Sequence, residues 1–189
     1  MGINLSRRTV EIEVERGFVP ACPPPPAERV IVADLSEARL AVGKQYGAGV
    51  CVNAQQDDLL SVVNDLTNGV GADYVVEAVG RSKTFLQSVD LVRMAGELMW
   101  FGLPSVDHDI PFRFQQFFRK RLKAVCDYGA QDEPAAASFR EALRLIAEKE
   151  LDVEPLLSHV FSVEDINKAM HLAHEPQDAG ALKVSIHFE

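Results

Sequence analysis

From Arg29 to Phe188, short apolar runs alternate with segments in which apolar residues recur every three or four positions. Most of the runs lack polar alternation, which is typical of strands covered on both faces. These strand-like runs are Val30–Ala33, Val50–Val52, Tyr74–Val79, Leu98–Leu103, Leu122–Cys126 and Leu182–Phe188. The helical segments between them are Ser36–Tyr46, Asp57–Leu66, Lys83–Met94, Glu133–Glu148 and Ser162–Leu172. This alternation predicts a doubly wound α/β fold with a mainly parallel sheet.

The first 28 residues depart from this alternation. In Thr9–Arg16 apolar residues alternate with glutamates, which predicts a half-exposed strand at a sheet edge or in an antiparallel hairpin. The proline run Pro23–Pro26 favours extended polyproline II and excludes a helix interior. We therefore divide the chain into an atypical N-terminal segment, residues 1–28, and an α/β domain, residues 29–189.

The charge and the apolar content exclude several classes of protein. A formal net charge of −9 disfavours non-specific binding to nucleic acid or to an anionic membrane. No apolar stretch approaches the ~18 residues of a membrane span, and Met1–Val19 lacks the apolar region of a secretory signal. A cytoplasmic protein follows as the expectation. The basic residues Arg113, Arg119, Lys120, Arg121 and Lys123 are interpreted as a solvated helix face.

The cysteines and histidines give little sign of a metal site. Cys22, Cys51 and Cys126 are far apart, which indicates neither a disulfide framework nor a four-cysteine zinc site. The two later cysteines lie in apolar runs, so we expect buried thiols there. His171 and His174 are interpreted as residues of a surface helix end.

One acidic residue carries a cofactor signal. Asp34 directly follows the strand-like run Val30–Ala33, and a helix is predicted to begin two residues later. In dinucleotide-binding folds an acid at the end of the second strand accepts hydrogen bonds from the adenosine ribose hydroxyls. Its charge would also repel the 2′-phosphate of NADP. The alternative is that Asp34 is only an N-cap region residue of the following helix.

Several motifs after Asp34 occur in a specific order. They are Tyr46–Ala48, Val50–Asn53, Gly71–Gly80, Met94–Pro104 and Leu157–Met170. In order, spacing and turn residues this series resembles the cofactor domain of the medium-chain dehydrogenase/reductase family, which includes the zinc-type alcohol, polyol and threonine dehydrogenases. The resemblance extends from Arg29 to Phe188. It implies a Rossmann-type domain that binds NAD.

The resemblance also implies roles for individual residues. Asp34 corresponds to the ribose-binding acid, Arg39 to a basic residue flanking the adenosine, and Lys183 to a basic position that meets the pyrophosphate. The backbone that passes closest to the cofactor and meets its nicotinamide would comprise Ala78, Val79, Gly80, Phe101, Gly102, Leu103, Val125 and Asp127. Ordinary turn glycines at Gly80 and Gly102, and surface cations at Arg39 and Lys183, remain alternatives.

The glycine-rich turn of the family is absent. Upstream of Asp34 the glycines are Gly2 and Gly17, so no G-x-G-x-x-G can be written there. The pairs at Gly47–Gly49 and Gly69–Gly71 each follow a helix, as C-caps do. The sheet is therefore expected to be incomplete at the first βα unit. Thr9–Glu15 is the only candidate for the central strand, and its glutamates suit a slot covered on both faces poorly.

The zinc ligands of the family's catalytic domain are not seen in their family context either. The resulting hypothesis is the cofactor-binding part of an NAD-dependent zinc-type alcohol or polyol dehydrogenase, not competent alone and without a catalytic residue of its own. A non-catalytic NAD-binding or dimerising module, a zinc-free quinone or enoyl reductase relative, and a reading-frame error over residues 1–28 are the alternatives. The family resemblance implies a homodimer through the sheet edge near Asp107–Cys126.

Overall fold

The computed structural model describes residues 8–12, 29–104, 109–127, 133–174 and 180–188. Its main element is a six-stranded, wholly parallel sheet with the order β3-β2-β1-β4-β5-β6. The strands are β1 (Arg8–Ile12), β2 (Arg29–Asp34), β3 (Val50–Asn53), β4 (Ala72–Glu77), β5 (Val92–Trp100) and β6 (Lys123–Cys126). This is the doubly wound order of dinucleotide-binding domains, so the predicted fold class is confirmed.

The first strand occupies the centre of the sheet. Val10 pairs with Ile31 of β2 on one side and with Val75 of β4 on the other, both in parallel register. The predicted edge or hairpin position is therefore wrong for residues 8–12. Without β1, two neighbouring strands would face each other with unpaired N–H and C=O groups. Backbone pairing decides the position of β1, which contains Glu11; Glu13 and Glu15 of the alternating pattern lie outside the described residues.

The central strand completes the sheet that was expected to be incomplete. Residues 13–28 connect β1 to its parallel neighbour β2 and lie outside the described residues, as do the proline run Pro23–Pro26, Gly17 and Cys22. For residues 1–7 and 13–28, the predicted atypical character therefore stays a prediction.

Helices connect the later strands. They are α1 (Glu37–Gln45), α2 (Leu59–Thr67), α3 (Ser82–Leu91), α4 (Phe114–Lys120), α5 (Ala137–Ala147) and α6 (Ile166–His174). The Asp58 side chain accepts a hydrogen bond from the Ser61 amide and so caps α2. The predicted helix Lys83–Met94 ends early, because Val92 already pairs with Ala72 in the sheet.

Apolar side chains from the sheet and from helices α2 and α3 form one core cluster. Its buried members are Ile31, Ala33, Val52, Leu59, Val63, Ala72, Val75, Val89, Leu91, Val92, Leu98 and Leu122. The cluster fixes the strands of the parallel sheet relative to one another, and with them the positions of the residues that follow each strand.

A second, two-stranded parallel sheet stands near the end of the chain. It pairs β7 (His159–Ser162) with β8 (Val184–His187), and α6 contacts both strands. The sequence predicted β8 within Leu182–Phe188 but not β7, whose four residues include only two apolar ones, Val160 and Phe161. None of the helices among the described residues is long and apolar enough to cross a membrane.

One lysine of the basic run is not a solvated surface charge. The ammonium of Lys120 donates to the carbonyl oxygens of Val89, Asp90 and Val92 at 2.8, 3.0 and 2.7 Å. Desolvation lowers the pKa of Lys120 below its usual range. Lys120 therefore fills the place of a C-terminal cap for α3, whose last carbonyls have no partner within the helix.

Candidate functional site

Four strands of the large sheet end along one edge. β2, β4, β5 and β6 finish at Asp34, Glu77, Trp100 and Cys126, and all run in the same direction. We call the residues that follow or end these strands, 34–39, 77–80, 100–103 and 125–127, the switch-point edge. The strand order reverses beside it, between β1 and β4, which is where ligands bind in open parallel sheets.

A buried ion pair occupies the β2 end of this edge. The exposed fraction of Asp34 is 1% and that of Arg39 is 6%. Nε of Arg39 lies 3.0 Å from Oδ1 and 2.9 Å from Oδ2 of Asp34, and the Ser36 amide donates to Oδ1 at 2.7 Å. Burial raises the pKa of Asp34, while the Ser36 amide and the Arg39 guanidinium oppose that rise.

Arg39 also has an unused donor. Its Nη2 atom is buried and finds no hydrogen-bond partner in the part of the chain that the structure describes. The alternative of a surface cation is therefore wrong for Arg39. The pair combines a carboxylate that can accept further hydrogen bonds with a guanidinium nitrogen that has one left to donate.

The turns that follow β4 and β5 touch through their backbones. Gly80 has φ +77°, and a Cβ atom there would stand 2.6 Å from the carbonyl carbon of Leu103. A Cβ atom on Gly102 would stand 2.7 Å from the amide nitrogen of Val79. Both glycines are therefore required by close approach, which is more than an ordinary turn glycine needs.

Glu77, which the sequence reasoning missed, lies beneath both turns. Its exposed fraction is 0%, and its Oε1 accepts hydrogen bonds from the Val79 amide at 3.0 Å, the Gly80 amide at 2.9 Å and Thr84 Oγ1 at 2.7 Å. The sequence does offer one signal for Glu77. It is an acidic residue directly after the run Tyr74–Val76, which shows no polar alternation and so predicts a buried strand.

The structure brings most of the other predicted residues to the same edge. Ala78 and Val79 are half-buried, while Phe101, Leu103, Val125 and Asp127 are exposed. The Asp127 amide donates to the carbonyl oxygen of Trp100 at 3.1 Å, which ties the end of β6 to that of β5. The exposed group presents three large apolar side chains beside the glycine turns.

Lys183 belongs to the other sheet. It directly precedes β8, its side chain is exposed, and its backbone is held by the Ser158 hydroxyl, which donates to its carbonyl oxygen at 3.1 Å. Nearby, a Cβ atom on Gly180 would stand 3.2 Å from Cβ of Ala38, so this segment packs against α1. Among the described residues, the backbone of Lys183 is bonded to Ser158 and His159, which lie outside the switch-point edge.

Within the residues that the structure describes, the metal-ligating side chains do not assemble into a site. Within the described ranges no group of three or more histidine, cysteine, aspartate or glutamate side chains is close enough to hold a metal ion. His171 and His174 are exposed in the last turn of α6. Cys51 is half-buried, whereas Cys126 is exposed, so the predicted buried thiol is wrong for Cys126. The described residues therefore do not fit the zinc that the family resemblance implies.

The features at the edge do fit parts of a dinucleotide. A buried acid and an orphaned guanidinium nitrogen suit the ribose and adenosine, and the exposed apolar side chains of Phe101, Leu103 and Val125 suit a flat ring. The connection from β1 to β2 contains one glycine, Gly17, where three are usual for pyrophosphate.

Comparison with known proteins agrees with this geometry. The family model described as zinc-binding dehydrogenase matches residues 27–148, which is more than half of the chain. A sorbitol dehydrogenase from Halalkalibacterium halodurans is 31% identical over 144 residues, which are 75% of this chain and 40% of that protein. An alcohol dehydrogenase from Cupriavidus necator is 30% identical over 163 residues, covering 85% of this chain and 43% of that protein.

Solved structures share the fold. Benzyl alcohol dehydrogenase from Acinetobacter calcoaceticus aligns with a TM-score of 0.78 at 19% identity, over 97% of this chain and 50% of that chain. The chain spans about two fifths of the length of the curated relatives named above, and half the length of this structure.

Proposed function

Because the chain belongs to the zinc-binding dehydrogenase family, we propose that its switch-point edge binds NAD and that it is the cofactor-binding part of an alcohol or polyol dehydrogenase. The observation that carries this proposal is the position of Asp34. It is a buried acid at the end of the second strand of a sheet ordered 3-2-1-4-5-6, where dinucleotide-binding folds hold the adenosine ribose.

In this proposal the adenosine end of NAD lies at the Asp34–Arg39 pair. The carboxylate of Asp34 would accept hydrogen bonds from the ribose hydroxyls, and the spare Nη2 of Arg39 would donate to the adenosine side. The same carboxylate would disfavour the 2′-phosphate of NADP. Lys183 would approach the pyrophosphate from the segment that packs against α1.

The nicotinamide end would lie against the two glycine turns. Ala78, Val79 and Gly80 would pass beneath the ring, and the backbone of Phe101, Gly102 and Leu103 would meet its carboxamide. Val125 and Asp127 would extend the same surface. Bound NAD would supply a hydride acceptor there. The residues of this chain bind and orient the cofactor, and we propose no catalytic residue and no zinc ligand among them.

We therefore expect no turnover by this chain alone, and a cytoplasmic location as for a dehydrogenase component. A zinc-free quinone or enoyl reductase relative would use the same edge in the same way. The substrate that a complete enzyme accepts would distinguish such a reductase from an alcohol or polyol dehydrogenase, whereas the residues of the switch-point edge do not.

A second candidate function is dimerisation. β6 is the last strand of the sheet, its Val125 side chain is 60% exposed, and Phe114 and Phe118 of α4 are exposed with ring centroids 6.1 Å apart. Exposed apolar groups beside a sheet edge are typical of an interface. We propose a homodimer through β6 and α4, and Asp107, predicted near this interface, lies outside the described residues. Light scattering on the wild type and on Phe118→Asp tests it, with a dimer and a monomer expected respectively.

The test of NAD binding uses the protein's single tryptophan. Trp100 ends β5 directly before Phe101, so it lies next to the proposed nicotinamide position. Addition of NADH should quench its emission and produce nicotinamide emission on tryptophan excitation. Asp34→Ala should weaken this signal. Asp165→Ala, which removes a partly buried acid paired with Lys168, should leave it unchanged. No energy transfer and no heat in a titration at millimolar NADH would refute the proposal.

A further inference from the structure

The glycine turns after β4 and β5 both donate hydrogen bonds to one buried residue, Glu77. We infer that Glu77 is a positioning residue, which holds both turns in the arrangement that contact with the nicotinamide end of NAD requires. The inference rests on the proposed function for its ligand. Glu77 lies outside the backbone segments Ala78–Gly80 and Phe101–Leu103, and its proposed role is to raise the affinity for the cofactor.

The side chain of Glu77 fixes the first turn. Its Oε1 accepts from two successive amides, those of Val79 at 3.0 Å and Gly80 at 2.9 Å, and from Thr84 Oγ1 at 2.7 Å. A carboxylate accepts without donating, so it can satisfy this set of converging donors. Hydrogen bonds to a buried charged group are stronger than those between neutral groups. The turn is therefore oriented by a side chain that lies below it.

The backbone of Glu77 fixes the second turn. Its carbonyl oxygen accepts from the Phe101 amide and the Gly102 amide, each at 2.8 Å. The amides of the two turns thus donate to opposite ends of one residue, the side chain and the backbone carbonyl of Glu77. A change in the Glu77 side chain moves the first turn relative to a second turn that stays attached to the Glu77 backbone.

The other oxygen of Glu77 is a second reason, beside the contact with the Val79 amide, for glycine at position 102. Oε2 is buried without a hydrogen-bond partner among the described residues, and it would stand 2.8 Å from a Cβ atom on Gly102. The carboxylate therefore fills the space under Gly102. An amide of the same shape keeps the acceptor at Oε1, whereas alanine leaves the amides of Val79 and Gly80 unpaired and opens a gap.

The experiment separates the two ends of the cofactor. NADH affinity is measured by energy transfer from Trp100, and AMP affinity by calorimetry, because AMP contains only the adenosine end. Glu77→Ala should weaken NADH by ~10-fold or more and leave AMP within about 2-fold, since two amides lose a charged partner. Glu77→Gln should recover most of the loss. Glu97→Ala is the matched control, because this glutamate lies on the neighbouring strand, is only partly buried and pairs with the exposed Lys123.

Amide hydrogen exchange gives a readout that does not need the ligand. Exchange at Val79 and Gly80 should accelerate in Glu77→Ala and stay unchanged at Ser36, whose amide bonds to Asp34. If the wild type binds neither NADH nor AMP, the proposed function fails, while faster exchange at the first turn still supports the action of Glu77 on that turn. Unchanged exchange there overturns the inference.

Two further outcomes also overturn it. Equal loss of NADH and AMP affinity would show a general structural role, and unchanged NADH affinity in Glu77→Ala would show no role at all. Should Glu77→Ala fail to fold, Thr84→Val tests the same carboxylate oxygen with little change in shape. It should weaken NADH by ~3-fold without affecting AMP, because one of three hydrogen bonds is lost.

Discussion

A Cβ atom on Gly102 would stand 2.7 Å from the amide nitrogen of Val79, so the ends of β4 and β5 meet by direct backbone contact. Gly102→Ala should lower the free energy of unfolding by about 3 kcal/mol, because the added methyl group forces the two turns apart. Urea unfolding at fixed temperature measures the loss.

Gly69→Ala is the control for the change of residue type. Gly69 has φ +76°, but nothing lies within 4 Å of a Cβ atom there. Only backbone strain should appear, about 1 kcal/mol. Equal losses for the two variants would mean that the close contact at Gly102 relaxes without a penalty.

The later part of the large sheet could be predicted from the sequence, because β2 to β6 are apolar runs of the kind buried between two helix layers. The position of Asp34 at the end of β2 could be predicted for the same reason, since it directly follows one of these runs. The position of β1 could not. Alternating glutamates indicate that one face of the strand is exposed. The position of β1 is decided instead by backbone pairing with β2 and β4, two strands that are distant in sequence.

The contacts of single polar side chains were harder to predict. Nothing in the sequence near Lys120 tells that its ammonium reaches carbonyls about 30 residues earlier, since that contact depends on the packing of α4 beside the end of α3. Glu77 was missed for a similar reason. Its partners are local, but its importance follows from the approach of Gly102, which is distant in sequence.

The Asp34–Arg39 pair should be strongly coupled in stability. Arg39→Met leaves the buried carboxylate unpaired and should lower the free energy of unfolding by ~3 kcal/mol, whereas Asp34→Asn combined with Arg39→Met should lose less than the sum of the single changes. A double-mutant cycle in urea measures the coupling.

Arg144→Met provides the surface comparison. Arg144 pairs with Glu141 and Glu148 on exposed α5, so its loss should change the free energy of unfolding by less than ~1 kcal/mol. If Arg144→Met lowered the free energy of unfolding as much as Arg39→Met does, burial would not be the cause of the strong coupling between Asp34 and Arg39.

Lys120 should matter for stability more than the other lysine of its segment. Lys120→Met removes the donor to three carbonyl oxygens and should lower the free energy of unfolding by ~2 kcal/mol, because those carbonyls are left without a partner. Lys123→Met removes an exposed ammonium 3.4 Å from Glu97 and should cost less than ~0.5 kcal/mol. Similar thermal midpoints for both variants would show that water replaces the Lys120 contacts.

The thiols of Cys51 and Cys126 should differ in reactivity. Cys51 is half-buried, its Sγ lies 3.3 Å from the carbonyl oxygen of Leu40, and burial raises the pKa of this thiol. The thiolate is the reactive form, so at any pH below that raised pKa Cys51 has less of it than an ordinary cysteine. Cys126 is exposed at the end of β6.

In a Cys22→Ser background, an aromatic disulfide reagent should therefore modify Cys126 at least ~10-fold faster than Cys51 at neutral pH. The rate at Cys51 should keep rising with pH beyond the range in which ordinary cysteines level off. Single variants Cys51→Ser and Cys126→Ser assign the two phases. If NADH binds at the switch-point edge, it should slow the reaction of Cys126, which directly precedes Asp127, and leave that of Cys51 unchanged. Equal rates in the absence of NADH would contradict the difference in exposure.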